Sequence, residues 1–167
     1  MVTGRILALD VGKKRIGLAL SDELGITVQG LETLERQGRR YDIEVLRKLT
    51  VARGVRHILV GNPLHMSGEA SPQSEYTQEF ASELERKTGL PVTLRDERLT
   101  SWEAENSMRG TGVARADRRA TIDRLSAIIL LQDYLETIRP TLLPGDGFDE
   151  PDEELSGDDR SETWSGE

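Results

Sequence analysis

The chain has 167 residues, 22 Lys and Arg against 30 Asp and Glu, and a formal net charge of −8. This is one domain's worth at about 100–200 residues per domain. Cysteine is absent, which excludes disulfide frameworks, thiolate metal sites and Cys nucleophiles. Two histidines, His57 and His65, are too few for a His-built metal cage, and 4% aromatics leaves little for a base-stacking platform. Arg5, Asp10, Lys13, Lys14 and Arg15 interrupt the opening segment, so no signal-peptide core is expected. No apolar run approaches the roughly 20 residues that span a bilayer. A soluble, cytoplasmic protein without membrane association is the expectation.

In chain order, Ile6-Leu7-Ala8-Leu9 is a continuous apolar run bounded by Gly4 and Gly12, the pattern of a strand buried on both faces. Ile16, Leu18 and Leu20 alternate with Gly17 and Ala19 and predict a second strand. A third is predicted over Ile26 to Leu34, close enough for an antiparallel meander. Asp42 is the predicted N-cap of a helix, with Ile43, Leu46 and Leu49 at helical spacing and Gly54 as its stop. His57 to Gly61 reads as a short buried strand. Ser71-Pro72 opens a helix with Tyr76, Phe80 and Leu84 on one side, closed by Gly89 and Pro91. Val92 to Arg95 is a fifth strand.

Thr100-Ser101-Trp102-Glu103 has the capping-box pattern, so a helix is predicted from there to about Arg109. Gly110 and Gly112 open a loop. The last helix is predicted from about Thr121 to Ile138, with Ile122, Leu125, Ile129 and Leu135 on one side. A strand meander, then βαβ units and a terminal helix, give an α/β fold: a mixed five-stranded sheet with flanking helices.

Charge divides the chain in two. Residues 141–167 hold ten acids against Arg160, a balance of −9, with Pro144, Gly145, Gly147, Pro151 and Gly157 interspersed. The other 21 bases and 20 acids leave residues 1–140 at +1. The expected organisation is a folded domain over 1–140 and an acidic, disordered tail over 141–167. The tail is either a solvated end or a competitor of acidic ligands for a basic surface.

Three acids stand where chemistry would want them. Asp10 follows the first buried strand, Glu97 follows the fifth, and Asp123 lies near the start of the last helix beside the small Ser126 and Ala127. Ligands of open α/β sheets gather beyond the carboxyl ends of parallel strands. Carboxylates without His or Cys make a hard-oxygen set suited to Mg²⁺ or Mn²⁺. Two such ions about 3.5–4 Å apart can serve a phosphoryl displacement. Any one of these acids is equally able to be a cap or a surface ion-pair partner.

The Asp10-x-Gly12 turn either lets a phosphate approach the backbone or simply makes a tight hairpin. Lys13, Lys14 and Arg15 sit on it. Asn62, at the end of the fourth strand, either positions a phosphate or makes an Asx turn. Arg109, Arg115, Arg118, Arg119 and Arg124 form a second basic cluster beside the predicted loop. Such side chains recognise phosphate and set salt dependence, or form a solvated surface. His57 is assigned to its strand and Trp102 to helix packing.

The run Ala8-Leu9-Asp10-Val11-Gly12-Lys13-Lys14-Arg15-Ile16-Gly17-Leu18-Ala19-Leu20-Ser21-Asp22 resembles the opening of the YqgF (RuvX) family. Three further stretches match: Val60-Gly61-Asn62-Pro63-Leu64 with Met66-Ser67-Gly68, Asp96-Glu97-Arg98-Leu99-Thr100-Ser101 with Glu103-Ala104-Glu105, and Asp123 with Ala127, Ile129 to Gln132 and Tyr134-Leu135. Four ordered matches over about residues 5–138 are more specific than any one.

The resemblance implies a ribonuclease H-like fold with strand order 3-2-1-4-5. It also implies a catalytic, metal-holding Asp10, Glu97, Asp123 triad with two Mg²⁺ or Mn²⁺ ions. The implied activity is endonucleolytic processing of the 5′ end of pre-16S rRNA, with RNA as partner. Lys13, Lys14, Arg15, Asn62, Arg98, Arg115, Arg118 and Arg119 are the candidate nucleic-acid contacts. The alternatives are a Holliday junction resolvase acting on branched DNA, working as a homodimer, and a non-catalytic RNA-binding factor. The acidic tail departs from the family pattern.

Overall fold

The structure, a computed structural model, describes residues 4–63, 71–96 and 115–139. The predicted helix over 100–109, Glu97, Arg98, the Met66-Ser67-Gly68 segment and the tail lie outside the described residues.

Among the described residues, six strands and three helices follow in the order β1 (Arg5–Val11), β2 (Arg15–Ser21), β3 (Val28–Gly30), β4 (Leu34–Glu35), α1 (Arg39–Arg53), β5 (Val55–Asn62), α2 (Pro72–Thr88), β6 (Val92–Asp96) and α3 (Arg115–Ile138). The sheet runs β3-β2-β1-β5-β6, with β4 also paired to β2. β1 pairs antiparallel with β2 and parallel with β5, and β5 pairs parallel with β6. The five predicted strands are therefore present in the expected order 3-2-1-4-5. The third is broken into β3 and β4; between them Leu31 is buried in the core while its backbone nitrogen still donates to the Leu18 carbonyl of β2 at 2.9 Å.

The alternation of period two divides the core. Leu7, Leu9 and Val11 of β1, Ile16, Leu18 and Leu20 of β2, and Ile58 and Val60 of β5 face α1 and α2, where they meet Ile43, Leu46, Phe80 and Leu84. Ile6 and Ala8, Ala19 and Leu59 face the other way, onto Ala127, Leu130, Leu131 and Leu135 of α3. Both faces are covered, which explains the uninterrupted apolar run of β1.

Helix ends follow local chemistry, with one correction. Ser71 caps α2, its Oγ accepting from Ser74 N at 3.0 Å, and Pro72 takes the first helical position. Gly54 and Gly89 end α1 and α2 in the left-handed region at φ 64° and 69°. Asp42, however, does not cap α1. The cap is Gly38, and Asp42 lies in the first turn, fully buried, accepting from Gln37 N at 3.0 Å and pairing with Arg36. The helix gains its entry from this reach-back bond rather than from a cap hydroxyl or carboxylate.

On α3 the buried stripe is Ala127, Leu130, Leu131 and Leu135, while Ile122, Leu125 and Ile129 are only half-buried. The predicted stripe is thus offset around the helix. Small Ser126 and Ala127 let the helix sit low on the sheet and turn that side inward.

Candidate nucleic-acid active site

β1, β5 and β6 are parallel, so their carboxyl ends share one edge of the sheet, which brings Asp10, Asn62 and Asp96 to that edge. Alternation puts Asp10 on the same face as Ile6 and Ala8, the face covered by α3. Its cross-strand partner is Gly17.

Gly17 is the point where α3 touches down. A Cβ built there would lie 1.9 Å from the carbonyl oxygen of Asp123 and 3.2 Å from the nitrogen of Arg124. Only a residue without a side chain permits that approach. Gly30 on the neighbouring strand is similarly filled, by Arg124 and Ile128 side chains at 2.8 and 2.9 Å. Thr33 Oγ1 donates to the Ala120 carbonyl at 3.0 Å and fixes the start of the crossing. The backbone of Asp123 thereby rests on the residue directly opposite Asp10. Two acids 113 positions apart in the chain are thus brought to one sheet edge.

Arg15 joins this corner. Its Nε donates to Asp123 Oδ2 at 3.0 Å, with side chains 20% and 27% exposed. Arg15 is thus tied to a carboxylate, while Lys13 and Lys14 stand exposed at the tip of the β1–β2 hairpin. The hairpin is closed by Gly12 N donating to Arg15 O at 2.9 Å, and a Cβ on Gly12 would lie 2.7 Å from that oxygen. Tight closure and a glycine-lined turn are one feature here.

The other basic candidates divide. Arg118 and Arg119 are exposed on the first turns of α3, and Arg115 opens that helix. Asn62 points to the opposite face, where its Oδ1 accepts from Ser74 Oγ at 2.6 Å. It ties β5 to α2 and does not share the carboxylate face. His57 is a strand residue, as expected. Its Nε2 is 2.8 Å from Thr93 Oγ1, and its ring meets Tyr134 edge-on at 5.9 Å. Burial holds its pKa below the ordinary 6.5.

Three residues missed in the sequence stand around the site. Arg36 donates from Nε to Asp42 at 2.9 Å, from one terminal nitrogen to the Gly12 carbonyl at 3.0 Å, and from the other to the Tyr76 hydroxyl. Burial opposes its charge, but the bonds to Tyr76 and Asp42 outweigh burial and hold its pKa above the ordinary arginine value. Gln73 Nε2 donates to the Val11 carbonyl at 3.1 Å. Arg95 ties β6 to α3 through Asp133 at 2.7 Å and Thr137 at 3.0 Å. No local signal marks Arg36, which stands in a charged run with Arg39 and Arg40 that reads as surface.

Among the described residues, no group of three or more His, Asp or Glu gathers closely enough to hold a metal ion. Glu97, the third expected ligand, lies outside them. The acids brought to this edge, Asp10 and Asp123, carry hard carboxylate oxygens, a donor type that fits Mg²⁺ or Mn²⁺.

The family described as RuvX, Holliday junction resolvase, matches residues 4–137. The chain belongs to the RuvX family. A candidate pre-16S rRNA nuclease from Koribacter versatilis (strain Ellin345) is 49% identical over 135 residues, covering 81% of this chain and 88% of that protein. Another from Syntrophus aciditrophicus (strain SB) is 43% identical, covering 87% and 97%. Among solved structures, T. thermophilus RuvC in complex with a Holliday junction substrate superposes with a TM-score of 0.53 at 10% identity, covering 82% of this RuvX chain and 96% of that one. Fowlpox virus resolvase with Holliday junction DNA gives 0.51 at 12%, covering 80% and 98%. These likenesses show the fold, which is ribonuclease H-like. Among the described residues of this RuvX protein, no helix is long and apolar enough to cross a membrane.

Proposed function

We propose that this protein is a divalent-metal endonuclease that processes the 5′ end of pre-16S rRNA in the cytoplasm. The observation that supports it most is the contact of α3 with Gly17, which brings Asp123 to the sheet edge near the carboxyl end of β1, where Asp10 stands. Asp10, Asp123 and Glu97 would hold Mg²⁺ or Mn²⁺. Glu97 follows directly on β6, and Arg95, two positions earlier, faces α3. A bound divalent cation supplies positive charge at the scissile phosphate and a more acidic water.

The chain's own residues do the rest. Arg15 Nε fixes the rotamer of the Asp123 carboxylate and offsets part of the carboxylate repulsion. Lys13 and Lys14, at the hairpin tip, grip backbone phosphates flanking the cut, and Arg118 and Arg119 extend that surface along α3. Arg115 and Arg98 are assigned to the same role from their place in the sequence. Asn62 orients the end of β5 through Ser74 rather than touching phosphate.

The test is Asp10→Asn assayed on precursor rRNA with Mg²⁺ or Mn²⁺. Loss of cleavage with RNA binding retained is expected; undiminished cleavage rejects Asp10 as a ligand. The family's description as a Holliday junction resolvase favours a second reading, cleavage of branched DNA by a homodimer. A four-way junction in the same assay separates the two. Binding without metal-dependent turnover would indicate a non-catalytic RNA factor. Residues 141–167 are proposed as a separate acidic tail that competes with RNA, so deleting them tightens RNA binding, most visibly at low salt.

A further inference from the structure

On the face opposite the carboxylates, a buried polar cluster lies directly beneath the Asp10 turn. Asp42 is fully buried and the Arg36 side chain is 11% exposed. A buried ion pair is a poor source of net stability, because desolvation offsets the Coulomb gain. Its value lies in the geometry it imposes, and that geometry is specific. Arg36 reaches three elements at once: Asp42 on α1, Tyr76 on α2 and the Gly12 carbonyl in the turn. Its ring contacts add to the fixation, with the guanidinium carbon 5.0 Å from the Tyr76 centroid and 5.6 Å from that of Phe80.

The neighbouring turn carbonyls are held from the same side. Gln73 holds Val11 O at 3.1 Å, and the backbone nitrogen of Arg36 holds Lys14 O at 2.9 Å. Three successive attachment points, at Val11, Gly12 and Lys14, thus bracket the turn that follows Asp10. Asp42 in turn anchors the donor, accepting from both Arg36 Nε and Gln37 N.

We propose that Arg36 is a positioning residue: by holding the Gly12 carbonyl against the α1 and α2 helix starts, it orients Asp10 and the Lys13–Lys14 tip for a phosphodiester substrate. This rests on the reading that Asp10 holds a catalytic cation. Arg36 is bonded to Asp42, Tyr76 and the Gly12 carbonyl rather than to Asp10 or Asp123, and acts only through the turn. Its planar fork is what the role requires, since one donor faces the helix and another the turn. A lysine keeps the charge beside Asp42 but has a single nitrogen and cannot span both.

The experiment compares wild type, Arg36→Lys and Gln73→Leu as full chains. Gln73→Leu removes one turn contact without stranding a buried charge, so its folding is secure. Amide hydrogen exchange is read at Gly12 to Arg15 against Leu7, Leu9 and Leu131. The expectation is exchange at least about 10-fold faster in the turn of Arg36→Lys, less in Gln73→Leu, with the core unchanged. Cleavage of precursor rRNA in Mg²⁺ should lose about 10- to 100-fold in kcat, the scale of an ångström's misplacement, with KM within about twofold. The Mg²⁺ concentration for half-maximal rate should rise.

Unchanged turn exchange in both variants overturns the proposal. So does faster exchange spread evenly through the core, which would make Arg36 a stabilising residue only. If the wild type shows no metal-dependent cleavage, the nuclease reading fails, and the exchange data still decide whether the turn is held by Arg36.

Discussion

The two faces of the sheet are packed by different rules. Toward α1 and α2 the sheet offers Leu7, Leu9, Ile16, Leu18, Ile58 and Val60, met by Leu46, Phe80 and Leu84. Toward α3 it offers Ile6 and Leu59 beside the small Ala8, Gly17, Ala19 and Gly30, and the two glycines receive the Asp123 backbone and the Arg124 and Ile128 side chains. Large side chains hold a helix away from the sheet and fill the gap with apolar volume. Small ones let the helix backbone come down onto the strands. An aspartate has one methylene of reach, so carboxylates from a strand and a helix share a site only where the helix is low. The thick face supplies the larger apolar core, and the thin face brings the charges together.

That contrast makes predictions that differ in kind between the faces. Asp123→Asn, on the thin face, should reduce metal-dependent cleavage to background while Tm moves by only a few degrees, because a part-exposed ion pair contributes little. Nuclease assays alongside thermal melts check this; retained cleavage would break the assignment of the thin face. Leu84→Ala, on the thick face, should cost about 2–5 kcal/mol in urea unfolding. The fraction still folded should cleave at the wild-type rate, since the Leu84 side chain is fully buried in that apolar core.

Gly17→Ala tests the touch-down itself. The added Cβ meets backbone, not a flexible side-chain end, so α3 must lift. A loss of about 1–3 kcal/mol is expected from overpacking of this kind. Cleavage should fall further than that destabilisation explains, because Asp123 moves away from Asp10. Chemical denaturation paired with kinetics of the folded fraction would separate the two effects.

The smallest effect concerns pH. Burial depresses the His57 pKa in the folded protein below 6.5. The unfolded chain therefore binds the proton first as pH falls, and stability drops from about pH 6.5 downward. Urea midpoints for wild type and His57→Gln, compared between pH 7.5 and 5.5, should show a steeper decline in the wild type. Parallel declines would remove His57 as the cause.

Much of this molecule is legible without coordinates, where the cause is local. The apolar runs of β1 and β5 announce strands covered on both sides. Ser71-Pro72, Gly54 and Gly89 mark helix ends because caps act within a turn. Asp10 and Asp123 stand out as acids beside buried elements. Asp42 was legible only as a polar residue at a helix start, since its reach back to Gln37 and Arg36 depends on the bend after β4. The inward side of α3 was offset for a similar reason. Ile122, Leu125 and Ile129 are apolar and periodic, yet the low approach at Ser126 and Ala127 rotates them toward the rim.

The sequence by itself determined the inventory: five predicted strands, a meander followed by βαβ units, a near-neutral body with a −9 terminal segment, and hard-oxygen donors with no Cys. Tertiary structure decided who meets whom. Period-two alternation says that a strand has two faces but not which helix covers each. Arg15 and Asp123 are 108 residues apart, and Arg36 and Tyr76 are 40 apart. Contacts of that separation come from packing volume, here the absence of a side chain at Gly17. No local pattern encodes the distance at which a helix will come to rest.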